Sequence, residues 1–263
     1  FLPLTRGAQL LIADREQALD SKRLAAAIAQ RGVTAMQATP ATWSMLVDSG
    51  WEGAPTMSAL CGGEALAPTL AAALHARCAQ VWNVYGPTET TIWSSFDKVR
   101  RDAPVSIGHA LANNSLYLLD PLLEPLPPGM VGEIWIGGEG VSHGYFRRPG
   151  LTAGAFLPDP FATRAGARMY RTGDLGRRRE DGRIECLGRI DHQLKFRGFR
   201  IEPGDIEAAL LEHHTVAQAV VCLFGVAPAE QRLVAYVVAS PGQVPGVPDL
   251  RQHLLDCLPA YLV

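Results

Sequence analysis

Between residues 8 and 99 short apolar runs alternate with segments whose apolar positions recur at helical spacing. AQLLIAD (8–14) reads as a strand, and KRLAAAIAQR (22–31) as a helix that Asp20 or Ser21 caps and Gly32 ends. VTAMQA (33–38) is a second strand, and Thr39 and Pro40 supply the N-cap and first-turn proline of the helix ATWSMLVDS (41–49). MSALCGG (57–63) is a third strand, Pro68 opens the helix TLAAALHAR (69–77), and VWNV (81–84) is a fourth strand. Strands alternating with helices of this length predict a parallel sheet covered by helices. Such sheets bind ligands beyond the carboxyl ends of their strands, which points to Gln37, to Leu60–Glu64 and to the segment after Val84.

From residue 105 to 188 the pattern changes. SLYLLD, GEIWIGG, ARMYRTGDL and GRIECLGR are short strands separated by Pro and Gly, the texture of a small antiparallel, barrel-like β unit. It changes again near Ile190–Asp191. The helix EPGDIEAALLEH, the strands VAQAVVCLF and RLVAYVVAS, and the helix PDLRQHLLDCL form a small α+β unit. The expected fold is therefore α/β in three parts: residues 1–104, 105–190 and 191–263.

At 263 residues, 48% hydrophobic and 19% charged, the chain has the make-up of a folded enzyme rather than a disordered segment. The formal net charge of −2 argues against a nucleic-acid partner, and no apolar run has the length of a membrane span. Cys61, Cys78, Cys186, Cys222 and Cys257 are scattered without a CxxC pair, so they read as reduced thiols of a cytoplasmic protein rather than a metal or disulfide framework. The opening residues lack the basic and cleavage regions of a signal peptide. With no initiator Met, the chain reads as an excerpt.

The chemistry concentrates in NVYGPTE, Asn83–Glu89. The Gly86-Pro87 turn delivers the Thr88 hydroxyl and the Glu89 carboxylate directly after the aromatic face of Tyr85. A base can stack on Tyr85, a phosphate oxygen can accept from Thr88, and Glu89 can hold Mg2+, which needs only one or two carboxylates beside the phosphates. In YRTGDL (170–175) Asp174 follows a Gly turn and can accept from ribose hydroxyls. The glycines at 62 and 63 let a backbone approach a ligand. The charge run Lys195, Arg197, Arg200 lies where the β unit gives way to the last unit.

These segments, with GEIWIGGEGVSHGYF (132–146), GRIDHQLKFRGFRIEPGDIE (188–207) and the closing LPAYLV, resemble in order and spacing the motifs of adenylation domains of nonribosomal peptide synthetases, members of the adenylate-forming superfamily. His143 stands where the family motif has Arg, and Leu262 where it has Met. The resemblance implies formation of an aminoacyl-AMP from an amino acid and MgATP with release of pyrophosphate. The acyl group then passes to the phosphopantetheine thiol of a carrier protein, beside neighbouring synthetase domains.

It implies nucleotide contacts from Gly63, Glu64, Asn83, Tyr85, Gly86, Thr88, Asp174 and Arg189, with Thr88 and Glu89 at the reacting centre and Glu89 on Mg2+. Asp191 matches the hinge about which the C-terminal unit rotates, and Lys195, Arg197 and Gly198 match the loop that reaches the site for the thioester step. Six residues match the family's substrate-pocket positions: Gln37, Leu60, Gly62, Val84, Ile92 and Trp93. The indole leaves room for a small side chain, so glycine is expected and alanine is its competitor. The family's phosphate loop and substrate-amine carboxylate are not in this stretch, and its catalytic Lys is expected beyond Val263. This excerpt alone is thus expected to be inactive. A stand-alone acyl- or aryl-CoA synthetase and a degenerate, non-catalytic module are the alternatives.

Overall fold

The computed structural model describes residues 2–191, 193–196, 198–225 and 231–263. Two short helices, α1 (Leu2–Thr5) and α2 (Arg15–Leu19), open the chain, and the segment 8–14 between them is not the strand its apolar run predicts. Leu10, Leu11 and Ile12 are exposed, and no strand among the described residues pairs with them. Apolar patterning alone does not make a strand when nothing takes up its backbone hydrogen bonds.

The next elements follow their local signals. Asp20 Oδ1 accepts from the backbone of Lys22 and Arg23 at 2.9 and 3.1 Å to start α3 (Ser21–Gln30). After β1 (Ala35–Ala38), Thr39 Oγ1 accepts from Thr42 N at 3.3 Å and Pro40 takes the first turn of α4 (Pro40–Asp48). Then come β2 (Ala54–Gly62), α5 (Pro68–His75) and β3 (Cys78–Tyr85). β1, β2 and β3 pair in parallel, as expected. The sheet continues antiparallel through β4 (Ser95–Lys98) and β5 (His109–Ala110), so it is mixed. The chain turns back within residues 86–94, and a turn that short joins only antiparallel neighbours.

The period of two along β2 decides which face is core. Met57, Ala59 and Cys61 point to the side where α3, α4 and α5 lay down Leu24, Ile28, Trp43, Leu46, Leu70 and Leu74. Burial pushes the Cys61 thiol up to about 12, which keeps it an inert thiol within that core. Leu60 and Gly62 point to the opposite face.

A second, antiparallel sheet holds β6 (Asn114–Leu119), β7 (Val131–Gly138), β8 (Phe156–Pro158), β9 (Arg168–Arg178) and β10 (Ile184–Arg189), with α6 (Pro149–Ala155) leading into β8. Its order is β10-β9-β7-β6, with β8 on β9. Leu116, Leu118, Ile134, Ile136 and Ile184 gather around Tyr85 and Ile107, so this sheet packs on the end of β3. The last unit begins with the hairpin β11 (Leu194–Phe196) and β12 (Phe199–Ile201). It continues through α7 (Pro203–Leu211), β13 (Val216–Phe224), β14 (Arg232–Ala239) and α8 (Val247–Cys257). It has a core of its own, built on Ile201, Ile206, Leu210, Val221, Leu250 and Leu254. No helix among the described residues is long and apolar enough to cross a membrane.

Trp43 joins the first core to the site. Its ring is fully buried against Trp51, with centroids 6.1 Å apart, and its Nε1 donates to the Leu60 carbonyl at 3.2 Å. Trp43→Ala leaves a cavity and removes that bond, and should lower stability by about 3–5 kcal/mol in denaturant unfolding. A loss within about 0.5 kcal/mol, the size of an ordinary surface change, would contradict this packing.

Candidate active site

β2 and β3 end side by side, and the segments leaving them, 63–66 and 86–88, wall one side of a cleft of about 480 Å³. Asp174, Gly188 and Arg189 of the second sheet line it too, as do Gln193, Leu194, Gly198 and Arg200 of the last unit. A cleft beyond the carboxyl ends of parallel strands is where an open α/β sheet takes its ligand.

At its base lies a buried carboxylate, Asp174, 3% exposed. The Tyr85 hydroxyl donates to Oδ2 at 2.5 Å, and Arg189 Nη1 donates to Oδ1 at 2.8 Å. Burial first, then the Asp174 charge, pushes the Tyr85 phenol well above its ordinary value, so it remains a hydrogen-bond donor. The rest of the Arg189 fork is held by Asp191, Nε to Oδ1 at 2.6 Å and Nη2 to Oδ2 at 2.7 Å. Gly173, at φ +73°, is what lets this pair lie flat on the turn before Asp174. A Cβ there would stand 2.7 Å from Arg189 Nη2 and 2.9 Å from Asp191 Oδ2.

Glu89 is the second buried carboxylate, 8% exposed. The loop after β7 is fastened to its turn by Ser142 N donating to the Glu89 carbonyl at 2.9 Å and Thr91 Oγ1 donating to the Gly140 carbonyl at 2.7 Å. That brings the Tyr145 hydroxyl to Glu89 Oε1 at 2.7 Å. From β12, Arg200 Nη1 lies 2.9 Å from both carboxylate oxygens. Burial acts to raise the Glu89 pKa, but the phenols of Tyr145 and Tyr170 and the Arg200 charge outweigh it and hold the group below its ordinary value. Glu89 is thus an ionised carboxylate already matched to a cation. The chain pattern gave no sign of the Arg200 partnership, which spans 111 residues; Tyr145 and Tyr170 lie inside quoted motifs and could have been read from them.

The other expected nucleotide residues gather on the same cleft. Asn83 is buried, its Nδ2 donating to the Ser106 carbonyl at 2.7 Å, and Thr88 is exposed with its hydroxyl unbonded among the described residues. Gly63 and Gly86 line the wall. Glu64 Oε2 accepts from Ala41 N at 3.3 Å, and its Oε1 accepts from Gly198 N of the last unit. Lys195 lies in β11 opposite Arg200, but its side chain and the whole of Arg197 lie outside the described residues. His143 is exposed.

The pocket candidates divide. Gln37 stands in register with Leu60 and Trp82, and Gly62 with Val84, so all share the sheet face turned away from the first core. Trp93 covers that face: a Cβ on Gly62 would be 2.4 Å from Trp93 Cη2 and 2.6 Å from Val84 Cγ2. Gly62, Val84 and Trp93 are therefore in contact, whereas Gln37 and Ile92 are exposed. Ile92 has φ 72° and follows Thr91 at φ 63°. For β-branched residues this is a strained conformation, held here by the turn that swings Trp93 back over Gly62.

A cleft lined by an aromatic phenol, by the Asp174 carboxylate with its arginine and by an exposed hydroxyl is suited to a sugar phosphate carrying an aromatic base. The family profile described as AMP-binding enzyme matches residues 1–146. The chain is 44% identical over 266 residues to a dimodular nonribosomal peptide synthase of Bacillus subtilis, covering 100% of this chain and 11% of that protein. A crystal structure of a four-domain nonribosomal peptide synthetase bound to AMP and glycine matches with TM-score 0.69 at 43% identity, over 100% of this chain and 20% of that one. An artificially fused adenylation–PCP di-domain from Klebsiella oxytoca matches with TM-score 0.79 at 29% identity, over 93% and 49%. The chain belongs to the AMP-binding enzyme family, as an adenylation domain of the nonribosomal peptide synthetase kind. It spans 11% of that Bacillus subtilis protein and less than a quarter of the length of the other curated relatives most similar to it.

The Arg189–Asp191 pair gives a pH test. The hydrogen bonds from Arg189 hold Asp191 below its ordinary 3.8. Its stabilising contribution is therefore present above about pH 4 and lost as pH falls through the lowered folded value. Arg189→Gln should move the Asp191 carboxyl titration upward, read by carboxyl NMR, and acid unfolding should then begin at higher pH. An unmoved titration would show that the pair does not persist in solution.

Proposed function

We propose that this chain carries the nucleotide and amino-acid sites of a domain that joins an amino acid to AMP, releasing pyrophosphate, and then loads the phosphopantetheine thiol of a carrier protein. The observation that carries this reading is the meeting of Tyr85, Asp174 and Arg189, from separate motifs, on one cleft beside the face where Trp93 covers Gly62. In it, Tyr85 supports the base, Asp174 accepts from the ribose hydroxyls, Arg189 orients Asp174, and Thr88 donates to phosphate oxygen. The residues position the amino-acid carboxylate against the α-phosphorus and stabilise the charge that develops as pyrophosphate leaves.

Mg2+, when bound with ATP, offsets charge on the phosphates. The cleft fits such a polar, charged ligand. Glu89 already holds a cation against both its oxygens, and Gln193, which lines the cleft, has a buried Oε1 without a hydrogen-bond partner. Glu89 would hold the metal, with Arg200 drawn aside. Asp191 is proposed as the hinge of a rotating unit, residues 191–263, whose segment of Lys195, Arg197 and Gly198 reaches the site for the thioester step. The bond from Gly198 N to Glu64 supports that placement. The fused adenylation–PCP relative supports the carrier partner.

Glycine is the proposed amino acid. Trp93 and Val84 fill the space above Gly62 where a larger side chain would lie, and the AMP- and glycine-bound relative at 43% identity supports the assignment. Alanine differs by one methylene, worth about 10–200-fold in discrimination.

Amino-acid-dependent ATP–pyrophosphate exchange, on the chain extended at both ends to include the family's remaining motifs, tests this. Glycine should exceed alanine by about tenfold or more. Trp93→Ala should narrow that ratio and admit larger side chains. Exchange with a large amino acid in the unaltered protein would overturn glycine while keeping the reaction. Activity with simple acids and CoA, without amino-acid exchange, would overturn the reaction class.

A further inference from the structure

A second cluster of metal-binding side chains lies away from the cleft, in the last unit. α7 and α8 pack side by side and run the same way. His253 Nε2 meets the Ala209 carbonyl at 2.8 Å, and one turn further on Cys257 stands beside Glu212, the C-cap of α7. One ligand atom each from Glu212, His253 and Cys257 lies within 4.8 Å of the others. His253 and Cys257 are four apart on α8, so they share one face of the helix by construction.

The chemistry of each group favours a metal. A carbonyl only accepts, so His253 Nε2 carries the proton and Nδ1 keeps the lone pair that a metal needs. A carbonyl on the opposite nitrogen is the usual way a metal-bound imidazole is fixed in one tautomer. Cys257 is an exposed free thiol, and Glu212 is exposed as well. Thiol, imidazole and carboxylate together select a borderline, thiophilic ion such as Zn2+ over Mg2+ or Ca2+, and leave one tetrahedral position for water.

The helices add a field. Parallel neighbours bring two C-terminal dipole ends together, each roughly half a negative charge, and Glu212 adds a full one. Neither helix has a basic residue in its last turn to balance this. Two aligned helix ends without a counter-charge are repelled from each other, and a bound cation reverses that.

We propose that Glu212, His253 and Cys257 form a Zn2+ site that clasps the C-terminal ends of α7 and α8. Local spacing did not lead there, because no cysteine has a paired neighbour and Glu212 lies 41 residues before His253. The site is independent of the nucleotide cleft and does not rest on the proposed reaction. Its action is to staple the small core of the last unit.

The test is titration of the reduced, chelator-treated chain with Co2+ alone, read by the thiolate-to-cobalt charge-transfer band, followed by competition with Zn2+. A saturable band that Zn2+ abolishes is expected, together with a rise in the melting midpoint of the last unit on adding Zn2+. Cys257→Ser, at an exposed position where folding is not at stake, should remove the band and weaken Zn2+ binding at least about tenfold. His253→Gln should weaken it similarly, while Cys186→Ser, at the other exposed thiol, should change nothing. Absence of a thiolate band in the unaltered chain, or a band that survives Cys257→Ser, would overturn the site.

Discussion

The architecture turns on one buried carboxylate, Asp174. A carboxylate taken out of water without partners is far too costly to keep, and both oxygens of Asp174 are met by donors. One partner, Tyr85, ends the third strand of the α/β sheet. The other, Arg189, ends the last strand of the β unit and is itself steered by Asp191 at the entry to the final unit. The two sheets and the departing chain are thus brought to one point by hydrogen bonds that are worth little net but costly to break singly. The cleft is the space left around that point. Part of its polarity follows from the same demand, because Tyr85 and Arg189 line it as the partners of Asp174.

How much of this could be read from the chain depends on how local each cause is. The helix beginning at Ser21 and the one beginning at Pro40 were legible because Asp20 and Thr39 cap them within three residues. The parallel strands were legible from their period and from the helices between them. AQLLIAD was misread because a strand is a property of two segments, and Leu10 to Ile12 have no partner among the described residues. The antiparallel additions β4 and β5 follow from a turn, residues 86–94, whose left-handed Thr91 and Ile92 no residue-type rule anticipates. Within the site, the motif order pointed to Tyr85, Glu89, Asp174 and Arg189; the structure brings Tyr85, Asp174 and Arg189 to one cleft, and Glu89 follows the lining Thr88 and is paired with the lining Arg200. It did not point to Arg200 as the group lying on Glu89, since that pairing is made by docking and not by spacing.

Arg200 belongs to a wider arrangement. Asp97, Asp174 and Glu89 are buried carboxylates in the earlier part of the chain or its β unit, and each faces an arginine from the short stretch 183–200: Arg183 at 3.3 Å, Arg189 at 2.8 Å and Arg200 at 2.9 Å. A seam made this way differs in kind from one made of leucines. Ion pairs of low exposure add little stability over apolar packing of the same volume, but mispairing them leaves a bare charge, so they define where the seam closes. The gradient along the seam matters as well. Arg183 and Arg189 have side chains only 11% and 13% exposed, whereas Arg200, on the far side of Asp191, is 39% exposed. Water therefore competes for the last pair far more than for the first two. The last unit meets the cleft through Arg200 and the Gly198 amide while keeping its own apolar core. These two contacts are polar ones that water can replace, and neither belongs to that core. Of the seam's three ion pairs, the one beyond the proposed hinge is the one whose arginine lies most open to water.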